Sequence, residues 1–327
     1  MTQSDTDLIV VGAGPVGLYA AYYAGFRQLR TTLVDSLPEA GGQIAALYPE
    51  KLIHDVAGFP AVKGRDLVSA LLAQAEQFNP QWRLGRTADA LEHVDGGRVR
   101  LTLTDGEQIC ARAIVVAGGI GTFTPRPLPA GSGLVGRGVD HFVVDVDLYA
   151  GHDVLVVGGG DSAVDWAAML EPVARSVTLA HRRDTFRAHE ASVAALRASR
   201  VAIRTPHVLH ELRGSDAVTA AVLRDTGSGE LVDVACTRVV AALGFTANLG
   251  PLTRWGLMIK DRHIVVDSSM HTGVPGVYAA GDITEYPGKV RLISVGFGEA
   301  ALAVNNAVAA SDPTAALFPG HSTATAA

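Results

Sequence analysis

Three glycines near the start of the chain have the spacing of a turn that binds a dinucleotide. Gly12, Gly14 and Gly17 follow the apolar run "LIVV" and precede small and apolar residues at helical spacing, which indicates a strand, a tight turn and a helix. The first glycine would permit the turn, the second would admit a pyrophosphate, and the third would let helix pack on strand. Asp35 ends the next predicted strand, about 20 residues further on, where a carboxylate can bind a ribose diol. The pattern predicts a dinucleotide site, with a structural turn as the alternative.

A second glycine turn, in "VLVVGGGDSAVDWAAML", differs from the first in the residues that follow its next predicted strand. Its next predicted strand, "SVTLA", is followed by "HRRDTF" and not by an acid. Guanidinium groups suit a phosphate better than a bare diol, so this unit is predicted to bind the 2′-phosphate of NADP. A solvated charge run is the alternative. The candidate NADP ligands are Gly158, Gly160, Asp161, Ser162, His181, Arg182, Arg183 and Arg187.

Composition limits the class of protein. The 327 residues, 48% of them hydrophobic, suffice for about two globular domains. A net charge of −6 without a basic block argues against nucleic acid or an anionic membrane surface as partner. No apolar run approaches the roughly 18 to 20 residues of a membrane span, and "MTQSDTD" lacks the basic start of a signal peptide, so a cytoplasmic protein is expected.

The remaining reactive side chains form no arrangement typical of a metal site or a nucleophile. Cys110 and Cys236 lie far apart, each in a β-like run, and are predicted to be core residues. Histidines and carboxylates show neither ligand spacing nor a triad. We therefore assign no metal and no catalytic side chain.

A later segment, "VPGVYAAGDITEYPG", extends the pattern to a recognisable order of motifs. The order GxGxxG, "AIVVAGGIG", the second glycine turn with "HRRDTFRA", and "AAGD" resembles the flavoproteins with two dinucleotide sites that include thioredoxin reductase. That resemblance implies FAD at the first turn, with Asp282 hydrogen-bonded to the ribityl chain. Thioredoxin reductases carry a CxxC pair, which this chain lacks, so a dithiol relay is excluded.

Further segments narrow the resemblance. "GGQIAALYPEKLIHDVAGFPAVKG", "GGIGTFTPR", "RRDTFRAHEASV", "KVRLISVGFGEAALAVNNA" and the terminal "HSTA" together resemble the thioredoxin-reductase-like type of ferredoxin NADP reductase, over nearly the whole chain. The resemblance implies a homodimer that binds FAD and passes electrons between NADPH and ferredoxin or flavodoxin. The flavin would exchange hydride at N5 and single electrons with the carrier.

The same resemblance implies roles for individual residues. Gln43 would bond the polar edge of the isoalloxazine and Tyr48 would stack on one face, with a core tyrosine as the alternative. Ala88 would meet the adenine through its backbone, and Phe123 would line the flavin pocket in "TFTPR", which equally fits a stiff linker.

The terminal segment "ALFPGHSTATAA" has two interpretations. By resemblance, His321 would stack on the flavin face opposite Tyr48, Thr323 would bond near the ring, and the tail would come from the other subunit. By composition, it is a frayed tail.

Together these features predict an α/β protein with two Rossmann-like, three-layer domains. The FAD domain would comprise residues 1–121 and 247–327, and the NADPH domain residues 122–246 would be inserted in it. Two alternatives stay open, an NADPH oxidase or small-molecule reductase and a non-catalytic NADP-sensing flavoprotein. Because ferredoxins are generally acidic, a local basic patch is expected, for which Lys51, Lys63 and Arg65 are scattered candidates.

Overall fold

The computed structural model describes residues 3–321, apart from the side chains of Gln3 and Ser132. The chain forms two compact units. The first contains Met1–Phe123 and Ala247–Ala327, and the second contains Thr124–Thr246. The chain therefore leaves the first unit once and returns to it once.

The α-helices of the described residues are α1 (Pro15–Phe26), α2 (Gly42–Leu47), α3 (Gly64–Glu76), α4 (Asp161–Leu170), α5 (Glu190–Ala198) and α6 (Ile293–Ser311). The strands of the first stretch are β1 (Gln3–Asp5), β2 (Leu8–Val11), β3 (Thr31–Asp35), β4 (Leu52–Ile53), β5 (Val62–Lys63), β6 (Gln81–Leu84), β7 (Ala88–Val94), β8 (Arg98–Leu103), β9 (Gln108–Ala111), β10 (Ala113–Val116) and β11 (Thr122–Pro125). The later strands are β12 (Val139–Asp140), β13 (Asp153–Val157), β14 (Ser176–Ala180), β15 (Ala202–Arg204), β16 (His207–Arg213), β17 (Ala220–Asp225), β18 (Leu231–Ala235), β19 (Arg238–Ala241), β20 (Phe245–Asn248), β21 (Ile259–Lys260), β22 (His263–Val265), β23 (Val277–Ala279) and β24 (Thr284–Glu285).

The first unit is built on a five-stranded sheet of order β23-β10-β2-β3-β6, and each of its neighbouring pairs is parallel. Its central strands are short apolar runs buried almost throughout, as parallel strands covered on both faces require. Leu8 lies opposite Thr31 on one side and Ala113 on the other. This register places the carboxyl ends of β2 and β3 side by side, so the first glycine turn begins next to Asp35.

Two further layers enclose this sheet. Helices α1, α3 and α6 form one layer, in which α1 packs against both of the others. The sheet β1-β9-β8-β7 contributes Val99, Leu101 and Ile109 to the same continuous core. Two small sheets, β4-β5 and β21-β22-β24, complete the unit.

Helix α6 is 19 residues long with a mean hydropathy of 1.2, so by length and composition it could cross a membrane. The expectation that no apolar segment approaches this length does not hold for α6. Its buried residues include Glu299, Ala300, Ala303 and Val304, and it packs against α1. A core helix has the same length and composition, so this property is weak evidence for a span.

The second unit repeats the parallel construction. Its sheet has the order β12-β19-β13-β14-β15, and helix α4 contacts β13, β14 and α5. An antiparallel sheet, β16-β17-β18, packs in the same unit around Leu209, Ala221 and Leu223. The two connections between the units run through β11 and β20, which pair with each other.

The protein is thus an α/β fold of two Rossmann-like units, the second inserted in the first. In each unit a buried strand leads through glycines into a helix, β2 into α1 and β13 into α4.

Candidate functional site

The first glycine turn has no room for side chains at two of its positions. Gly12 has φ of +109°, and a Cβ on it would lie 2.4 Å from the carbonyl oxygen of Ala117. A Cβ on Gly17 would lie 1.8 Å from the carbonyl oxygen of Gly12. Helix α1 therefore packs directly on the turn that precedes it, as the sequence pattern requires.

Gly14 differs from these two glycines because its surroundings are open. The nearest atom to a Cβ built on it is the Cα of Gly42, 3.8 Å away. Gly14 is also the N-cap of α1, where no side chain caps the free amide groups. An open glycine at the positive end of a helix is a site that an anionic group can approach.

Asp35 is held against the same turn. Its Oδ2 accepts a hydrogen bond of 2.6 Å from the backbone N–H of Ala13, and its Oδ1 accepts one of 2.8 Å from Leu37. Burial raises the pKa of Asp35, whereas these two bonds lower it. Since each carboxylate oxygen can accept more than one bond, Asp35 retains acceptor capacity for a ligand hydroxyl.

A cleft opens beside this turn. It brings together six of the residues predicted for FAD. They are Gly12, Gly14, Asp35, Gln43, Ala88 and Phe123. The lining also contains residues that the sequence analysis did not assign, among them Arg86, Thr87, Gly118, Gly119 and Pro251.

The side chain of Gln43 packs against Gly119 in the wall of the cleft. A Cβ on Gly119, whose φ is +58°, would lie 2.7 Å from Nε2 of Gln43, so the amide lies close against this glycine. The glycine segment "AGGIG" therefore packs against the side chain of Gln43.

Among the described residues, Tyr48 and Asp282 lie outside this cleft lining but close to each other. Burial raises the pKa of Tyr48, and the negative charge of Asp282 contributes to the rise. Asp282 follows Gly281, where a Cβ would lie 3.1 Å from Cγ2 of Val16 in α1. The residue before the half-buried Asp282 therefore packs against the first turn of α1.

The second glycine turn shows the same division into closed and open positions. A Cβ on Gly158 would lie 2.3 Å from the carbonyl oxygen of Ala242, whereas one on Gly160 would meet nothing within 4 Å. Helix α4 begins at Asp161, whose Oδ1 accepts a 2.9 Å bond from the backbone N–H of His189. The neighbouring Ser162 is exposed.

His181 is packed into the second unit. Its ring stacks on Phe186 at 5.4 Å, its Nε2 lies 3.2 Å from the carbonyl oxygen of Thr185, and a Cβ on Gly159 would lie 2.2 Å from the ring. Burial lowers the pKa of His181, and the charges of the neighbouring arginines lower it further. The imidazole is therefore neutral at pH 7. It packs against the glycine turn at Gly159.

The arginines predicted to bind phosphate are exposed. Arg182, Arg183 and Arg187 all carry solvent-accessible side chains. The backbone N–H of Arg187 donates a 2.8 Å bond to the carbonyl oxygen of Gly159, which ties this loop to the glycine turn. The backbone of this exposed, arginine-rich loop is thus joined to the residue that precedes the open Gly160.

The tail is anchored before its predicted flavin ligands. Arg27, at the end of α1, donates hydrogen bonds to the carbonyl oxygens of Ala316 (2.9 Å) and Leu317 (3.3 Å). His321 is exposed, with its ring edge-on to Phe318 at 5.2 Å. Thr323 lies outside the described residues.

The cysteines are core residues, as predicted. Cys110 and Cys236 are both buried. Burial raises the pKa of Cys236 to about 12, so its thiol stays protonated.

The comparisons with known proteins agree with this construction. The family model for pyridine nucleotide-disulphide oxidoreductases matches residues 6–307. A protein of Frankia alni named ferredoxin–NADP reductase is 58% identical over 315 residues, 96% of this chain and 98% of the relative. A protein of the same name from Salinispora tropica is 59% identical over 319 residues, 97% of this chain and 98% of the relative.

Solved structures with this fold include thioredoxin reductases. The enzyme of T. acidophilum superposes with a TM-score of 0.77 at 26% identity, covering 95% of this chain and 99% of that chain. The enzyme of Lactococcus lactis has a TM-score of 0.75 at 25% identity, covering 94% and 99%. The chain belongs to the pyridine nucleotide-disulphide oxidoreductase family, in the branch of the thioredoxin-reductase-like ferredoxin NADP reductases.

Proposed function

We propose that this protein is a ferredoxin NADP reductase that uses FAD to transfer electrons between NADPH and ferredoxin or flavodoxin. The observation that carries the proposal is the presence of two open glycine turns, at Gly14 and Gly160, in a chain without a CxxC pair. The names of its full-length relatives support the same activity.

FAD fits the first unit by the chemistry of its residues. Asp35 would accept bonds from the adenosine ribose, and Ala88 in the cleft wall would lie at the adenine. The pyrophosphate would lie at Gly14, where the helix N-terminus stabilises negative charge. Bound FAD supplies the conversion between hydride and single-electron transfer.

The residues around the isoalloxazine have orienting roles in this proposal. Gln43, seated against Gly119, would bond the polar edge of the ring, and Phe123 would line the pocket. Tyr48 would cover one face and exclude water from it. Asp282, close to Tyr48, would accept a bond from the ribityl chain.

NADPH would occupy the second unit, with its pyrophosphate at Gly160 and the start of α4. Arg182, Arg183 and Arg187 are exposed and free to bond the 2′-phosphate. His181 contributes by packing beneath Gly159, and Asp161 holds the backbone of His189.

Electrons must leave to an external carrier in this scheme. Cys110 and Cys236 are buried, and a protonated Cys236 thiol cannot serve as a relay. Of the candidate docking cations, Lys63 and Arg65 both form ion pairs with Glu50, at 3.3 Å and 2.6 Å. The docking face therefore needs cations beyond these two.

The homodimer, the cytoplasmic location, the stacking of His321 on the flavin face opposite Tyr48 and a bond from Thr323 near the ring are further parts of the proposal. The anchoring of Ala316 and Leu317 by Arg27 favours a tail that acts across a dimer. Gly14 and Arg27 flank the 12 residues of α1, so Arg27 lies about 20 Å from Gly14 along the helix axis.

The proposal is tested first by cofactor content. The purified protein should be yellow and release one FAD per chain on denaturation, and NADPH should bleach its visible absorbance anaerobically. Colourless protein that takes up no FAD on reconstitution would remove the proposal.

A further inference from the structure

A buried ion pair lies behind the predicted ribityl ligand. Nζ of Lys289 is 2.5 Å from Oε1 of Glu299, and the two side chains are only 2% and 3% exposed. Charges buried to this degree are costly unless every polar atom finds a partner. The sequence segment that contains both residues has no role in the site described above.

The partners of the pair converge on one residue. Oε2 of Glu299 accepts a 2.7 Å bond from the N–H of Gly281, and Nζ of Lys289 donates a 3.0 Å bond to the carbonyl oxygen of Gly281. The hydroxyl of Tyr286 donates a 2.5 Å bond to Oε1 of Glu299. The hydroxyl of Thr284 donates a 2.8 Å bond to the carbonyl oxygen of Gly281, to which the backbone N–H of Thr284 donates another of 3.0 Å. The pair therefore bonds both backbone polar groups of Gly281: Glu299 holds the N–H, and Lys289 shares the carbonyl oxygen with Thr284.

Gly281 is also fixed on its other side. Its φ is +85°, and a Cβ on it would lie 3.1 Å from Cγ2 of Val16. A Cβ on Gly296 in α6 would lie 2.5 Å from the same atom and 3.3 Å from the Cα of Gly281. The turn that presents Asp282 is thus clamped between two helices and the ion pair.

The pair also contributes opposite charges at Asp282. Burial raises the pKa of Asp282 and the negative charge of Glu299 adds to the rise, whereas Lys289, Arg291 and His263 lower it. The negative charge of Asp282 in turn contributes to the raised pKa of Tyr48, after burial. Removal of either member of the pair would leave the other charge uncompensated near Asp282.

We propose that the Lys289–Glu299 ion pair positions Asp282 for FAD by holding both backbone polar groups of Gly281. The inference rests on the proposed function, in which Asp282 accepts a bond from the ribityl chain. Lys289 and Glu299 are positioning residues that act through the Gly281–Asp282 turn.

The test measures FAD release from the full-length, FAD-loaded protein after dilution, followed by the fluorescence of free flavin between pH 5 and 9. Lys289→Met and Glu299→Gln should each release FAD about tenfold faster or more at pH 8, because the turn loses its clamp. Hydrogen exchange of the peptide that contains Gly281 should accelerate in both variants.

A pH profile separates positioning from loss of structure. As Asp282 becomes protonated it accepts a weaker bond from the ribityl chain, so FAD release accelerates toward low pH. Lys289→Met leaves the Glu299 charge uncompensated and should move this acceleration to higher pH. Glu299→Gln leaves the Lys289 charge and should move it to lower pH.

A third variant tests the inference if circular dichroism shows that Lys289→Met or Glu299→Gln does not fold. Tyr286→Phe keeps both charges and removes one bond to Glu299, so it should release FAD a few-fold faster with an unmoved pH profile. Arg254→Met, which breaks the exposed ion pair with Asp89 in the same unit, is the control and should match the unaltered protein.

Unchanged FAD release in all three variants, or profiles of Lys289→Met and Glu299→Gln that move in the same direction, would overturn the inference alone. An unaltered protein that retains no FAD would overturn the proposed function and the inference with it.

Discussion

At the scale of single residues, Asp282 illustrates a conflict between binding and stability. Burial raises the pKa of its carboxyl above the ordinary 3.8. The folded chain then binds this proton more tightly than the unfolded chain, so the contribution of Asp282 to the free energy of unfolding is greatest below pH 3.8 and is lost as pH rises through the raised pKa. At neutral pH the ionised Asp282 therefore destabilises the FAD-free protein.

Asp282→Asn should consequently stabilise the FAD-free protein at pH 7, by about 1 kcal/mol, while weakening FAD binding. Urea unfolding of FAD-free protein and FAD titration measure the two effects. Asp312→Asn is the control, because bonds from Thr314 lower the pKa of Asp312 and its removal should not stabilise. A less stable FAD-free Asp282→Asn protein would contradict this account.

Arg182 and Arg183 should set the choice of nucleotide. Each charge-assisted bond to a phosphate contributes roughly 1.5 to 3 kcal/mol, so replacing both with alanine should raise the KM for NADPH tenfold or more and leave that for NADH nearly unchanged. Arg200→Ala, in the same unit and paired with Glu171, is the matched control. Equal losses with NADPH and NADH would place these arginines away from the 2′-phosphate.

At the scale of elements, each glycine turn contains two kinds of glycine. One kind has no room for a side chain, and the other is open to a ligand. Gly158→Ala would bring a Cβ to 2.3 Å from the carbonyl oxygen of Ala242, and should lower the free energy of unfolding by several kcal/mol, about 3 or more. Gly160→Ala meets nothing within 4 Å and should fold normally but bind NADPH about tenfold more weakly. Thermal unfolding and NADPH titration check both, and equal stability of the two variants would refute the distinction.

Element patterns also explain what the sequence could predict. One continuous strand, turn, helix and strand contains Gly12, Gly14, Gly17 and Asp35. Local spacing therefore predicted that these residues meet at one turn. The seat of Gln43 on Gly119 joins segments far apart in the chain, and no periodicity signals it.

Other contacts had no signal in the sequence for a different reason. His181 was placed correctly after its strand, yet its ring lies under Gly159, because only the absence of a Cβ there leaves space for it. The bonds of Lys289 and Glu299 to Gly281 depend on how α6 packs, which a charge pattern does not specify.

At the scale of the whole molecule, the tail distinguishes a flavin cover from a frayed end. Deletion of the residues after Phe318 should alter the flavin absorbance spectrum and the turnover with ferredoxin while circular dichroism stays unchanged. Arg27→Met, which frees Ala316 and Leu317, should give a smaller change of the same kind. An unchanged spectrum in the deletion would remove His321 as a flavin ligand.

A heterodimer locates the tail's action. One subunit lacks the tail and the other cannot bind FAD, so only a tail that acts across the interface restores the normal spectrum. No recovery in a confirmed heterodimer would mean that the tail acts within its own chain.

The most direct test of the central claim is the steady-state rate of NADPH oxidation with ferredoxin, flavodoxin, free flavin or air as electron acceptor, measured with the same FAD-loaded protein. The account predicts that ferredoxin or flavodoxin supports a rate far above those with free flavin and air. A rate with the protein carriers no higher than that with free flavin or air would contradict it, as an oxidase or small-molecule reductase would give, and no oxidation with any acceptor would indicate a non-catalytic flavoprotein.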